Sequence, residues 1–197
     1  ATQQLDFDLR FLQHTNFGGE FMPWELQKRV REIAAKYQYE MNGQLHSVLT
    51  EQEVTNLCVE RGTLNSAERT IVNRHIDITI EMLESLPFPK HLKNVPEYAG
   101  GHHEKMDGTG YPRKLKREQM SVQARIMAIA DIFEALTAND RPYKKAKTLS
   151  ESLRIMAFMA RDQHIDADLF RVFVEQGVYL EFAQQFLAAE QIDEVDI

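Results

Sequence analysis

The chain has 197 residues, 43% hydrophobic and 27% charged, the balance of a soluble globular protein with room for one domain and a small accessory unit. A net charge of −7 builds no broad basic face, which argues against DNA or RNA as the main partner. No apolar run reaches the ~18–20 residues that cross a bilayer, and Asp6 and Asp8 stand where a signal peptide would be apolar.

The single cysteine, Cys58, cannot form an internal disulfide, so a reducing, cytoplasmic setting is expected and the segment makes no membrane contact of its own. The first residue is Ala1 rather than methionine. The chain is therefore expected to be a piece of a larger parent, which could carry membrane or sensor segments.

In chain order, Pro23 suits the first turn of a helix on which Leu26, Val30 and Ile33 recur at helical spacing. Thr50 and Glu53 have the spacing of a capping box, and Gly62 marks a break. Asn65 and Glu68 head a firmer helix. Along it Ile71, His75, Ile78 and Met82 share one apolar face, and Pro87 and Pro89 end it.

The stretch "NVPEYAGGHHE" reads as a short helix with Pro96 in its first turn, and "MDGTGYPRKLKREQM" as loop. Ser121 caps a long, largely apolar helix. Thr148 and Glu151 box the next one, and Gly177 divides the last helical stretch in two. The acidic end "EQIDEVDI" is expected to be solvated or to serve as a docking tail. With no repeat, no heptad array and no period-2 segments at regular spacing, the expected fold is an all-α bundle. Residues 1–61 would form a helical accessory segment, 62–187 the core, and 188–197 an acidic tail.

Metal-ligand chemistry concentrates in a few places. His75 lies on the apolar stripe of its helix and reads either as a satisfied core histidine or as a ligand. His102 and His103, about 100° apart if helical, suit two adjacent ions better than one; the alternative is a partly exposed pair at a helix end. Asp131 falls among Ala124, Met127, Ala128 and Ala135. A carboxylate buried there needs a metal, several donors, or a salt bridge to Arg125 or Arg141.

Such an N/O ligand set fits iron, manganese or zinc, and two nearby divalent ions suit in-line attack on a phosphodiester. Gly108 and Gly110 would let backbone approach a ligand, and Tyr111 could stack on a base. Arg141 and Lys144 could hold phosphate oxygens or a guanine edge. An ordinary turn and a solvated basic loop are the plain alternatives.

These residues resemble a known family. "HHEKMDGTGYP" fits the HHExxDGxGYP signature of the HD-GYP domains, a branch of the HD phosphohydrolase superfamily. "ARIMAIADIFEALTANDRPYKKA" and "RGTLNSAERTIVNRHIDITIEML" are similar to the family's flanking segments, so the likeness runs from about Gly62 to Phe173. The resemblance implies an all-α phosphodiesterase that opens cyclic di-GMP, or mixed cyclic GMP-AMP, to the linear dinucleotide and then to mononucleotide.

It further implies two or three divalent metal ions, iron or manganese first, with zinc, nickel and magnesium left open. By position, His75, His102, His103 and Asp131 match metal ligands, and Tyr111, Arg141 and Lys144 match contacts to the cyclic dinucleotide. Gly110, Tyr111 and Pro112 match a triplet that the family also uses on GGDEF-type signalling domains.

The family's HD dipeptide, with its following Gly-Lys, has no counterpart: the chain contains no adjacent His-Asp pair. His14, His46, His91 and His164 stand in other contexts. The expectation is that the HD segment precedes Ala1 in the parent enzyme and that the isolated chain is inactive. The alternative is a degenerate module that binds a cyclic dinucleotide or a GGDEF-type partner without hydrolysis.

Overall fold

The structure is a computed structural model that describes residues 2–17, 19–139 and 146–196. It divides into two compact units, Ala1–Val72 and Asn73–Ile197.

The first unit contains α1 (Thr2–Asn16), β1 (Gly19–Phe21), α2 (Trp24–Lys36), β2 (Gln38–Met41), β3 (Gln44–Ser47), α3 (Glu51–Leu57), β4 (Arg61–Gly62) and most of α4 (Ser66–Asn73). Helix dominates, but two small antiparallel pairs, β1 with β4 and β2 with β3, add strand that the sequence reading did not expect. The β2–β3 hairpin turns on Asn42 and Gly43, both at positive φ, the pairing that a two-residue hairpin turn favours.

The two capping boxes expected here form. Thr50 accepts from the Glu53 N–H, and Asn65 accepts from the Glu68 N–H, with each glutamate reaching back. The unit is tied together at Asp8, a buried carboxylate that receives Tyr37 Oη at 2.9 Å and Lys36 Nζ and Gln4 Nε2 at 3.2 Å. Burial pushes the Asp8 carboxyl up, but these donors together with Arg29 outweigh it and hold the group at about 2.

The second unit carries α5 (His75–Glu84), α6 (Val95–Gly100), α7 (Val122–Thr137), α8 (Leu149–Arg161), α9 (Ala167–Glu175) and α10 (Val178–Phe186). Its main core joins Ile129 and Phe133 of α7 to Leu149, Leu153 and Met156 of α8, with Ile165, Phe170 and Ala183. A smaller core of Met106, Met120 and Ala124 lies beneath the 105–120 loop. Ser121 caps α7, Thr148 and Glu151 box α8, and Gly177, at φ +66, separates α9 from α10.

A paired acid locks this unit. Asp166 is the N-cap of α9, and its fully buried carboxylate takes Arg117 Nε at 2.9 Å and Arg125 Nη1. Arg125 is thus engaged with Asp166, and Arg141, the other partner weighed for Asp131, lies outside the described residues.

One helix expectation is corrected. The helix read from Asn65 to Pro87 is interrupted at Arg74, and α5 starts at His75. Its buried residues are Ile76 and Ile80, while Ile71, Ile78 and Met82 are 71%, 60% and 57% exposed. The stripe through His75 is therefore the outer face of α5, one position out of phase with the packed one.

The acidic end, expected to be solvated or to serve as a docking tail, is exposed over most of its length but anchored at two points. Gln191 is buried. Its Nε2 donates to the Thr137 and Lys147 carbonyls, and its Oε1 accepts from Asn139. Asp193 accepts from the Ser150 N–H and hydroxyl at the start of α8.

Candidate metal centre

The double glycine before the two histidines has a packing reason. A Cβ on Gly100 would come within 2.7 Å of Ile80 of α5, and one on Gly101 within 2.8 Å of the Ala124 Cβ of α7. With hydrogen at both positions the end of α6 sits close against these two helices. His102 and His103 follow immediately, so the chain delivers them between the helix that begins with His75 and the helix that bears Asp131.

Helix α6 ends at Gly100, and both histidines sit in the turn beyond it. The 100° separation expected of helical neighbours therefore does not apply. Their rings lie 4.2 Å apart, centroid to centroid, and His103 meets His75 edge-on at 5.1 Å. His75, His102 and His103 each present a ring nitrogen within 4.8 Å of the others.

The Nε2 atoms of His75 and His103 are 3.2 Å apart. Two imidazole nitrogens at ~2.0–2.1 Å from one ion, subtending 90–110°, stand roughly 3.0–3.4 Å apart, so this pair already has the spacing of two ligands on one metal. His102 Nδ1 lies 2.5 Å from the Ala99 carbonyl. A carbonyl can only accept, so Nδ1 carries the proton and the Nε2 lone pair is left for a metal.

Burial pushes the His103 imidazole down to about 4. The neighbouring His102 and His75 add to this, while the Asp131 charge pulls the other way. His103 is consequently neutral, and competent to ligate, throughout the physiological range.

Asp131 is exposed, not buried as its small-residue surroundings suggested. The packed face of α7 runs through Ala124, Ala128, Ile129, Phe133 and Thr137. Asp131 is two residues from both Ile129 and Phe133, hence about 200° around the helix from each. It lies outside the three-histidine group, yet its charge is felt at His103.

Of Gly110, Tyr111 and Pro112, it is Tyr111 that lies against the cluster. The Tyr111 ring stacks on His103 at 4.9 Å and 19°, and its N–H donates to the His103 carbonyl at 3.2 Å. The ring expected to stack on a base thus has an imidazole on one face. Arg141 and Lys144 lie outside the described residues. Among the described residues this is the one group of three or more histidine, cysteine or acidic side chains that could close on a metal ion.

Residues 49–169 match the HD domain family. The chain belongs to the HD-domain family. Within that match the "HHEKMDGTGYP" segment resembles the signature of the HD-GYP branch.

A "3′3′-cGAMP-specific phosphodiesterase 3" of Vibrio cholerae is 42% identical over 105 residues, which cover 52% of this chain and 22% of the relative. A "3′3′-cGAMP-specific phosphodiesterase 1" of the same organism is 36% identical over 135 residues, or 68% and 29%. A cyclic di-GMP phosphodiesterase of Pseudomonas aeruginosa is 40% identical over 119 residues, or 60% and 28%. The matched part of this HD-domain chain thus spans less than a third of each of these relatives.

Two features of the second unit escaped the sequence reading. One is Glu104, the acid directly after the histidine pair, which is 2% exposed. The other is the Asp166 pairing with Arg117 and Arg125, whose members are 41 and 49 residues apart in sequence.

Proposed function

We propose that the protein carrying this chain is a metal-dependent phosphodiesterase that hydrolyses a cyclic purine dinucleotide, cyclic di-GMP or 3′3′-cGAMP, to the linear dinucleotide. The convergence of three imidazoles from two segments, two of them already at ligand spacing, carries this reading. The similarity to phosphodiesterases of both substrate types supports it.

In this reading His75, His102 and His103 hold divalent metal, iron or manganese, and Asp131 supplies a carboxylate beside them. When bound, such ions supply Lewis-acid charge to a phosphate and lower the pKa of water. The side chains do the rest. The Ala99 carbonyl fixes the His102 tautomer, and the depressed pKa of His103 spares it competition from protons. Tyr111 closes one side of the cluster and, with Gly110 and Pro112, forms a rim against which a base can lie. Arg141 and Lys144 would meet phosphate or base, and the Gly110–Pro112 rim also suits a GGDEF-type partner domain.

The test is turnover of both cyclic dinucleotides, side by side, by the parent protein loaded with Mn²⁺ or Fe²⁺. Hydrolysis of either, abolished by His102→Ala, is expected. A parent that binds nucleotide but carries no metal and turns over neither substrate would overturn the proposal in favour of a regulatory binding module.

A further inference from the structure

Glu104 is buried, and among the described residues no lysine, arginine or histidine forms an ion pair with it. Its oxygens meet backbone donors instead. Oε1 accepts from the Arg113 N–H at 2.7 Å, and Oε2 accepts from the Leu115 N–H at 2.9 Å. These donors lie nine and eleven residues ahead, on the far side of the Gly110–Pro112 triplet. One carboxylate therefore closes the whole 105–115 loop back onto the residue that follows His103.

The backbone completes the closure. The point where Gly110 passes Glu104 is so tight that a Cβ on Gly110 would stand 2.5 Å from the Glu104 Cα. The next residue, Tyr111, is thereby set on the His103 ring, with its N–H on the His103 carbonyl. A carboxylate suits this place because it offers two acceptors to two parallel N–H groups and brings no donor of its own.

We propose that Glu104 is a positioning residue of the metal centre: its two oxygens hold the 105–115 loop folded so that Tyr111 packs against His103 and fixes that imidazole toward His75. This rests on the reading of the three histidines as a metal site. It assigns the buried acid a role through Tyr111 and His103 rather than on metal or substrate.

The discriminating variant is Glu104→Gln, nearly the same shape but with an NH₂ facing one of the two backbone donors. In the folded variant, well below its melting temperature, the proposal expects weakened nuclear Overhauser contacts between the Tyr111 and His103 rings. It also expects Mn²⁺ affinity, read from free Mn²⁺ by electron paramagnetic resonance, to fall by about tenfold or more. A purely structural role would lower the melting temperature and leave both readouts of the folded protein unchanged, and that result overturns the proposal.

Should the variant not fold, hydrogen exchange on the unaltered chain decides. The Arg113 and Leu115 amides must rank with the protected amides of α7, and exchange at free-loop rates would refute the clamp. The ring contacts and amide protection require no metal. If the unaltered chain binds no Mn²⁺, the metal reading fails while these two measurements still judge Glu104.

Discussion

Gly110→Ala tests the loop geometry most sharply. The added methyl would sit 2.4 Å from the Lys105 nitrogen, 2.5 Å from the Glu104 Cα and 2.6 Å from the Glu104 carbonyl carbon. Non-bonded carbons rest at about 3.5–4.0 Å, so one strand of the loop must move by roughly 1 Å. All three neighbours are backbone, and no side-chain rotation relieves the clash.

A 1 Å shift also carries the Tyr111 N–H, now 3.2 Å from the His103 carbonyl, out of hydrogen-bond range. Overpacking of about 1–3 kcal/mol and a lost hydrogen bond of about 1 kcal/mol give a destabilisation of about 2–4 kcal/mol. For a unit of this size, that corresponds to a fall in melting temperature of roughly 6–15 °C.

The control is Gly100→Ala, whose methyl meets only the Ile80 side chain, which can turn aside. Thermal unfolding followed by circular dichroism should rank Gly110→Ala well below Gly100→Ala. Equal melting of the Gly110→Ala variant and the unaltered chain, or the reverse order, would refute the reasoning.

Other expectations follow from the same structure. His75→Ala and His102→Ala should each reduce Mn²⁺ affinity of the folded chain by about tenfold or more, measured by titration calorimetry, because each removes one of three converging nitrogens. Asp166→Ala should cost about 3–5 kcal/mol in urea unfolding, since it strands the largely buried Arg125, while Arg117 keeps Asp168.

In the metal-free chain His103 should titrate near 4 by NMR. Its folded pKa lies below the ordinary 6.5, so the unfolded state binds more protons between those values, and its stabilising contribution fades as the pH falls from 6.5 toward 4. Asp131→Asn should move that midpoint lower still, because the Asp131 charge is what holds it up.

The sequence revealed those parts of the architecture that are set by short-range chemistry. The boxes at Thr50, Asn65 and Thr148, the cap at Ser121 and the break at Gly177 are each decided within four residues. What it obscured depended on phase or distance. The interruption at Arg74 shifted the packed face of α5 to Ile76 and Ile80, so a stripe that looked like core faces outward. Asp131 looked buried because alanines surround it in sequence, yet it stands two positions from each packed neighbour, Ile129 and Phe133.

The β2–β3 hairpin was announced by Asn42-Gly43, but its four-residue strands are too short to show convincing alternation. The three histidines were recognisable from their residue types, and their family likeness joined them. That His102 and His103 converge only because α6 stops at Gly100 was not readable from spacing. Glu104 went unread because its partners, the Arg113 and Leu115 amides, are backbone groups that no sequence pattern names.

The Gln191 side chain has a practical meaning for anyone trimming this protein. The acidic end resembles expendable surplus, the kind of terminus routinely cut to obtain crystals. Yet one amide near it spans the Thr137 and Lys147 carbonyls, and so staples together the two ends of the stretch that contains Arg141 and Lys144. A version shortened at Leu187 would keep every histidine discussed above and lose the staple. Its behaviour would then report on the cut rather than on the metal centre.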